Sequence, residues 1–136
     1  MQPLQRINTW KSCYKGINYS INNWENGYSP DCWAYYIYIY PDHVSKHVFS
    51  KLWKKTSRSL SQCPALEDLA WHGGCTYLER TITNGNKMIK AGCDYQHAFD
   101  RGCTYTPALI QEDIIKTIDQ YIEYVNEHNP SDKILT

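Results

Sequence analysis

The sequence predicts an α+β fold: an antiparallel sheet of about four to five strands, built from two hairpins, with a short central helix and a long C-terminal helix packed on one face. Three observations carry this. Runs rich in Tyr and Ile lie before and after a segment of helical spacing. Asn84-Gly85 sits between two strand-like runs, which is the strongest short-range hairpin signal. From Thr106 onward the apolar residues recur at the helical period.

Each element follows in order. "TWKSCYKGINYSI", residues 9–21, reads as one strand with Gly16 as a bulge. "NNWENGYSPD" follows, and its Asn26-Gly27 and Ser29-Pro30 dipeptides mark a long hairpin loop. "CWAYYIYIY", residues 32–40, is aromatic or β-branched almost throughout, which predicts a central strand covered on both faces. Pro41 ends it. Residues 41–60 change period: Val44, Val48 and Leu52 align, Phe49 and Trp53 lie beside them, and Asp42 is placed to cap. The other side of this helix carries Lys46, Lys51, Lys54, Lys55 and Arg58, a basic face read as solvated. "TSRSLSQCP", residues 56–64, reads as a polar linker. Residues 75–82 and 87–95 are strands joined by "TNGN". In the last helix Thr106 caps and Pro107 takes the first helical position. Ile110, Ile114, Ile118, Ile122 and Val125 form its buried stripe, with Ile115 and Tyr121 beside it. The whole chain, 1–136, reads as one domain with loose ends at 1–8 and 130–136.

Composition narrows the function. Of 136 residues, 42% are apolar and 21% charged, and the charges cancel. A protein that coats nucleic acid normally shows a basic surplus, so no nucleic-acid partner is expected. Twelve Tyr and five Trp against two Phe favour half-buried surfaces and stacking sites, although Tyr also suits strands. The six cysteines form no C-x-x-C pair, so a zinc ribbon is not expected. Neither a signal peptide nor a membrane span is visible, which makes the cytoplasm the expected compartment and the thiols apolar fillers. Whether Cys13 and Cys32 pair is left open. No P-loop, dinucleotide fingerprint or serine elbow occurs, so no cofactor is expected.

Two clusters carry candidate chemistry. In Trp71-His72-Gly73-Gly74 the glycines bare the backbone, so that a phosphate or ring can reach its amides beside an ionisable histidine. The alternative is a tight turn that needs positive φ. In "GCDYQHAFDRG", Asp94, His97 and Asp100 are spaced by three. That set suits a divalent metal, a histidine oriented for acid–base work, contacts to a ligand's polar edges, or a satisfied loop network. Pairing across the Asn84-Gly85 turn brings position 75 near position 94, so both clusters emerge at one end of the hairpin. Arg101 lies at that end and can pair with an anion, whereas Arg80 lies at the other. Cys75 and Cys93 are near histidines but fall within strands, where a buried thiol is the commoner reading.

These segments resemble a family of small phage and prophage proteins of uncharacterised function. The resemblance runs from "WKSCYKG" through the aromatic strand ending in Pro41-Asp42-His43 to "WHGGCTY" and "AGCDYQHAFDRG". Such proteins carry H-G-G-x-T-[YF] followed by G-[FC]-D-x-x-H-x-x-D. The matching positions are His72, Gly73, Gly74, Thr76 and Tyr77, then Gly92, Asp94, His97 and Asp100. The chain departs from the pattern at "PDHVSKHVFS" and at "KMIK". The resemblance implies a phage origin and a small α+β domain.

The resulting expectation is a phage-encoded small-ligand-binding protein of the host cytoplasm. Its ligand would be nucleotide-like, such as an immune signal of the host that the phage sequesters. Gly73 and Gly74 would offer amides to phosphate, with Thr76 beside them, and Trp71 or Tyr77 would stack on a base. Asp94, His97, Asp100 and Arg101 would take polar groups. Two rivals stand beside it. One is a phosphoesterase using His72 or His97, oriented by Asp94 or Asp100, with or without a metal held by Asp94, His97 and Asp100. The other is a protein-binding inhibitor of a host defence enzyme. Tyr-rich strands are also compatible with a homo-oligomer.

Overall fold

Five strands form one antiparallel sheet in the computed structural model, which describes residues 7–25, 31–41, 46–53, 63–97, 100 and 102–128. The strands are β1 (Ile7–Tyr14), β2 (Ile17–Trp24), β3 (Cys32–Ile39), β4 (Tyr77–Thr83) and β5 (Asn86–Asp94), in the spatial order β1-β2-β3-β5-β4. Helix α1 covers Lys46–Trp53, α2 Pro64–Glu67 and α3 Pro107–His128. The fold class is the predicted one.

The run 9–21 is two strands rather than one bulged strand. Lys15 (φ 49°) and Gly16 (φ 83°) both adopt left-handed backbone, the pattern of a two-residue type I′ turn. Asn84 (φ 51°) and Gly85 (φ 80°) repeat it between β4 and β5. The first turn was hidden because Lys is a poor signal for this conformation, whereas Asn-Gly announces it. Ile7 and Asn8, expected to be loose, belong to β1.

Alternation decides what the sheet buries. Ile17, Tyr19 and Ile21 of β2, Trp33, Tyr35, Ile37 and Ile39 of β3, and Ile89, Ala91 and Cys93 of β5 are buried on the face that α3 covers. From α3 come Ile110, Ile114, Thr117, Ile118, Tyr121, Ile122 and Val125, the predicted stripe plus one threonine. Thr106 caps α3, its hydroxyl accepting the Leu109 N–H at 3.2 Å. The second face of β3 is only partly covered: Cys32 and Ala34 are buried, whereas Tyr36 and Tyr38 are half-buried. β3 is central, and among the described residues its second face is open around Tyr36 and Tyr38.

Helix α1 lies within the predicted 41–60. Asp42, Lys54, Lys55 and Arg58 lie outside the described residues. Most of the expected linker does too, but its last residue, Pro64, begins the short helix α2. Arg80 closes the β4 side, its guanidinium donating to the Leu52 carbonyl of α1 at 3.1 and 2.8 Å. All six cysteines are free thiols, so Cys13 and Cys32 do not pair. Among the described residues no helix is long and apolar enough to cross a membrane.

Candidate functional site

The two glycine-bearing and acidic segments do meet at the open end of the β4–β5 hairpin. The Thr76 N–H donates to the Gly92 carbonyl at 3.0 Å, which extends the ladder toward residue 94. Ahead of it, residues 71–74 form a turn in which the Gly74 N–H reaches the Trp71 carbonyl at 3.3 Å. Gly73 has φ +69° at the turn's third position, where a type II turn requires glycine.

What approaches the bare backbone is the protein itself. A Cβ on Gly73 would stand 2.3 Å from Nε2 of His97, so the imidazole of His97 occupies the space that a side chain would fill. Gly74 (φ +100°) has nothing within 4 Å of that point and faces solvent. Both glycines have the positive φ of the tight-turn reading, and the Gly74 N–H is used within that turn.

Behind the turn, His72 is held on several sides. Its ring stacks on Tyr95 with centroids 3.8 Å apart and planes 16° from parallel. Nε2 lies 2.7 Å from Asp100, and Nδ1 lies 3.9 Å from Asp113, in the second turn of α3. Asp100 is 7% exposed and takes further donors: the Tyr105 hydroxyl on one oxygen and the His97 N–H on the other, the latter at 3.0 Å. Burial works against its charge, but the hydrogen bonds from Tyr105, the His97 N–H and His72 outweigh it and hold the carboxyl below the usual range. Tyr95 donates to Asp113 at 2.6 Å, and burial together with that bond raises its phenol.

A second chain of bonds anchors this cluster to the core. The His72 N–H donates to the Tyr35 hydroxyl at 3.4 Å, and Tyr35 and Thr117 share a hydrogen bond of 2.8 Å. Thr117 in turn donates to the Ala70 carbonyl. Since that uses the threonine proton, Tyr35 is the donor in the shared bond. Trp71 belongs to the same core: it is buried, stacks on Tyr35 at 5.7 Å and donates its indole N–H to Leu66 at 2.7 Å. The expectation that Trp71 stacks on a ligand is therefore corrected, because its ring is already packed.

The accessible rim consists of Gly73, Gly74, Thr76, Tyr77, Asp94 and His97. Asp94 is partly committed, accepting from the Gln96 N–H at 3.0 Å and from the Thr76 hydroxyl at 3.2 Å, with His97 Nε2 at 3.7 Å. Among the described residues no three His, Cys, Asp or Glu side chains gather to hold a metal, so Asp94, His97 and Asp100 do not form the cage considered above. Asp100 faces inward, while Asp94 and His97 lie at the rim. Arg101 lies outside the described residues. The thiols are poor nucleophiles: burial pushes Cys93 up to about 12 and raises Cys75 as well.

The rim continues onto the open sheet face, where lies the part that sequence reading missed. Tyr36 lies across Gly92, whose Cβ would meet the Tyr36 ring at 2.3 Å. Tyr77 meets Tyr36 edge-on, with centroids 5.3 Å apart. The Lys90 ammonium sits 4.3 Å from the Tyr36 ring, 5.2 Å from Tyr77 and 5.8 Å from Tyr38. Glu79, opposite Lys90 in the ladder, accepts from the Tyr77 hydroxyl instead. Among the described residues no carboxylate pairs with Lys90. Period-2 alternation in "CWAYYIYIY" and "KMIKAGCDY" was the available signal: Tyr36, Tyr38 and Lys90 share one parity-defined face. Asp113 and Tyr105 were also missed, since both lie beyond the two motifs, and Tyr95 was passed over inside the second motif, between Asp94 and His97.

Compared with known protein families, with curated proteins and with solved structures, the chain finds no match.

Proposed function

We propose that this protein binds a small nucleotide-like ligand and does not transform it. The ligand lies across the hairpin rim and the adjoining open face. Its planar part stacks beside Tyr36 and Tyr77, its anionic part meets Lys90, and the exposed Thr76 hydroxyl takes a further polar group. The observation that carries this reading is the Lys90 ammonium, held over tyrosine rings with no carboxylate partner among the described residues. A cation seated against ring faces can still meet an incoming anion.

Binding is favoured over catalysis by the state of the acid–base groups. His72 is packed behind the rim, with Nε2 2.7 Å from Asp100 and its ring stacked on Tyr95, so it does not face the proposed ligand. The candidate thiols are held protonated. The motif resemblance to phage proteins makes a host signalling nucleotide the first occupant to test, with sequestration as the role. Purified protein would be incubated with a panel of signalling nucleotides, washed, denatured, and the released molecules identified. Recovery of an intact nucleotide is the expected result. A chemically altered product would favour the phosphoesterase reading, and recovery of nothing would overturn the proposal.

A further inference from the structure

The two edges of the sheet are treated differently. On β4 the Arg80 guanidinium ties the strand to α1. Strand β1 forms the other edge, and among the described residues nothing pairs with its outer side. Seven of its eight residues are exposed, among them Ile7 at 57% and Trp10 at 40%. Such an edge presents unpaired N–H and C=O groups, and proteins that keep it unpartnered usually blunt it with proline, a bulge or several charges. β1 has no proline, pairs with β2 residue for residue without a bulge, and carries one charge, Lys11.

We propose that β1 pairs antiparallel with β1 of a second copy of this chain, so that two sheets join into one of ten strands. The strand's own sequence selects this occupant and sets the register. A two-fold axis perpendicular to the sheet keeps α3 of both copies on one side, so residues of like parity must face each other. Two registers use most of the strand. Centring on Lys11 sets two ammonium groups opposite each other, which is unfavourable. Centring on Trp10 avoids that. Trp10 then meets Trp10 of the partner subunit on the helix-covered side, extending its existing stack on Trp33, whose centroid is 5.7 Å away. On the open side Lys11 meets Thr9 of the partner subunit, and Cys13 meets Ile7 of the partner subunit.

The pairing also bears on a groove of about 590 Å³ on the open face, lined by Lys11, Cys13, Asn18, Tyr38 and Tyr40 among others. Its outer wall is β1, so Thr9 and Ile7 of the partner subunit would extend that wall. This inference does not depend on the ligand reading above.

Sedimentation velocity across a dilution series tests it on the full chain. The wild type should sediment with the mass of two chains, and Trp10→Lys should shift it to one. Ile82→Lys, which adds the same charge on the opposite edge strand, should leave the dimer intact. A second test does not need Trp10 altered. Ile7→Cys should become covalently dimeric under mild oxidation through Cys13 of the partner subunit, while the wild type should not. Within one strand these positions are too far apart to bond, at about 3.3 Å per residue. A monomeric wild type at every concentration overturns the proposal. So does a Trp10→Lys dimer, or an Ile7→Cys protein that never cross-links.

Discussion

Replacing Gly73 with alanine separates the two reasons for a glycine there. The added Cβ meets His97 Nε2 at 2.3 Å, and the backbone has φ +69°. The left-handed conformation alone costs a non-glycine residue about 1–2 kcal/mol. Displacing His97 adds an overpacking cost of about 1–3 kcal/mol. Gly73→Ala should therefore destabilise by about 2–5 kcal/mol, combining those ranges. Gly74→Ala carries only the backbone cost, about 1–2 kcal/mol, because nothing stands within 4 Å. Urea unfolding followed by Trp fluorescence measures both. A double-mutant cycle with His97→Ala makes the test sharp: in that background the Gly73→Ala penalty should fall to the Gly74→Ala level, a coupling of about 1–3 kcal/mol. Equal penalties at the two glycines, or no coupling to His97, would refute the claim that His97 packs on the bare backbone.

Three further outcomes follow from the same geometry. Asp100→Asn replaces an acceptor of three donors and should cost about 2–4 kcal/mol, read by urea unfolding. Asp100's folded pKa lies below its unfolded value, so its contribution is full above about pH 5 and disappears as pH falls through the folded pKa; the acid limb of a stability–pH profile should flatten in Asp100→Asn. Alkylation by iodoacetamide, followed by mass spectrometry, should modify exposed Cys13 and Cys103 first and spare Cys93 until unfolding, because burial holds that thiol at about 12. Thr117→Val should cost about 1–2 kcal/mol, since it leaves the Ala70 carbonyl and the Tyr35 hydroxyl without their partner; an unchanged midpoint would show that the buried relay is not structural.

Much of this architecture is legible in the sequence because hydrophobic period is a local signal. The stripe of α3, its Thr106 cap and the Asn84-Gly85 turn all announce themselves within a few residues. The convergence of the two motifs at one hairpin mouth follows from register alone. The Lys15-Gly16 turn was not legible, since lysine adopts left-handed backbone there for reasons of the whole sheet. That the second face of β3 is covered at Cys32 and Ala34 but half-open at Tyr36 and Tyr38 was not legible, because a continuous aromatic run looks the same whether one side or both are covered. What the glycines face could not be read either: that His97 fills the space over Gly73, while Asp100 turns inward to three donors, depends on loop packing. Asp113 and Tyr105 enter the cluster from another element, and no spacing rule links them to His72.

The most direct measurement is calorimetric titration of a retained nucleotide into the wild type and Lys90→Ala, with Arg80→Ala as a basic-residue control on the sheet's covered face. Losing a charge-assisted contact of about 1.5–3 kcal/mol should weaken binding by about 10–100-fold in Lys90→Ala, and Arg80→Ala should bind as the wild type does. Equal affinity in wild type and Lys90→Ala would contradict the proposal that the open face takes the anion.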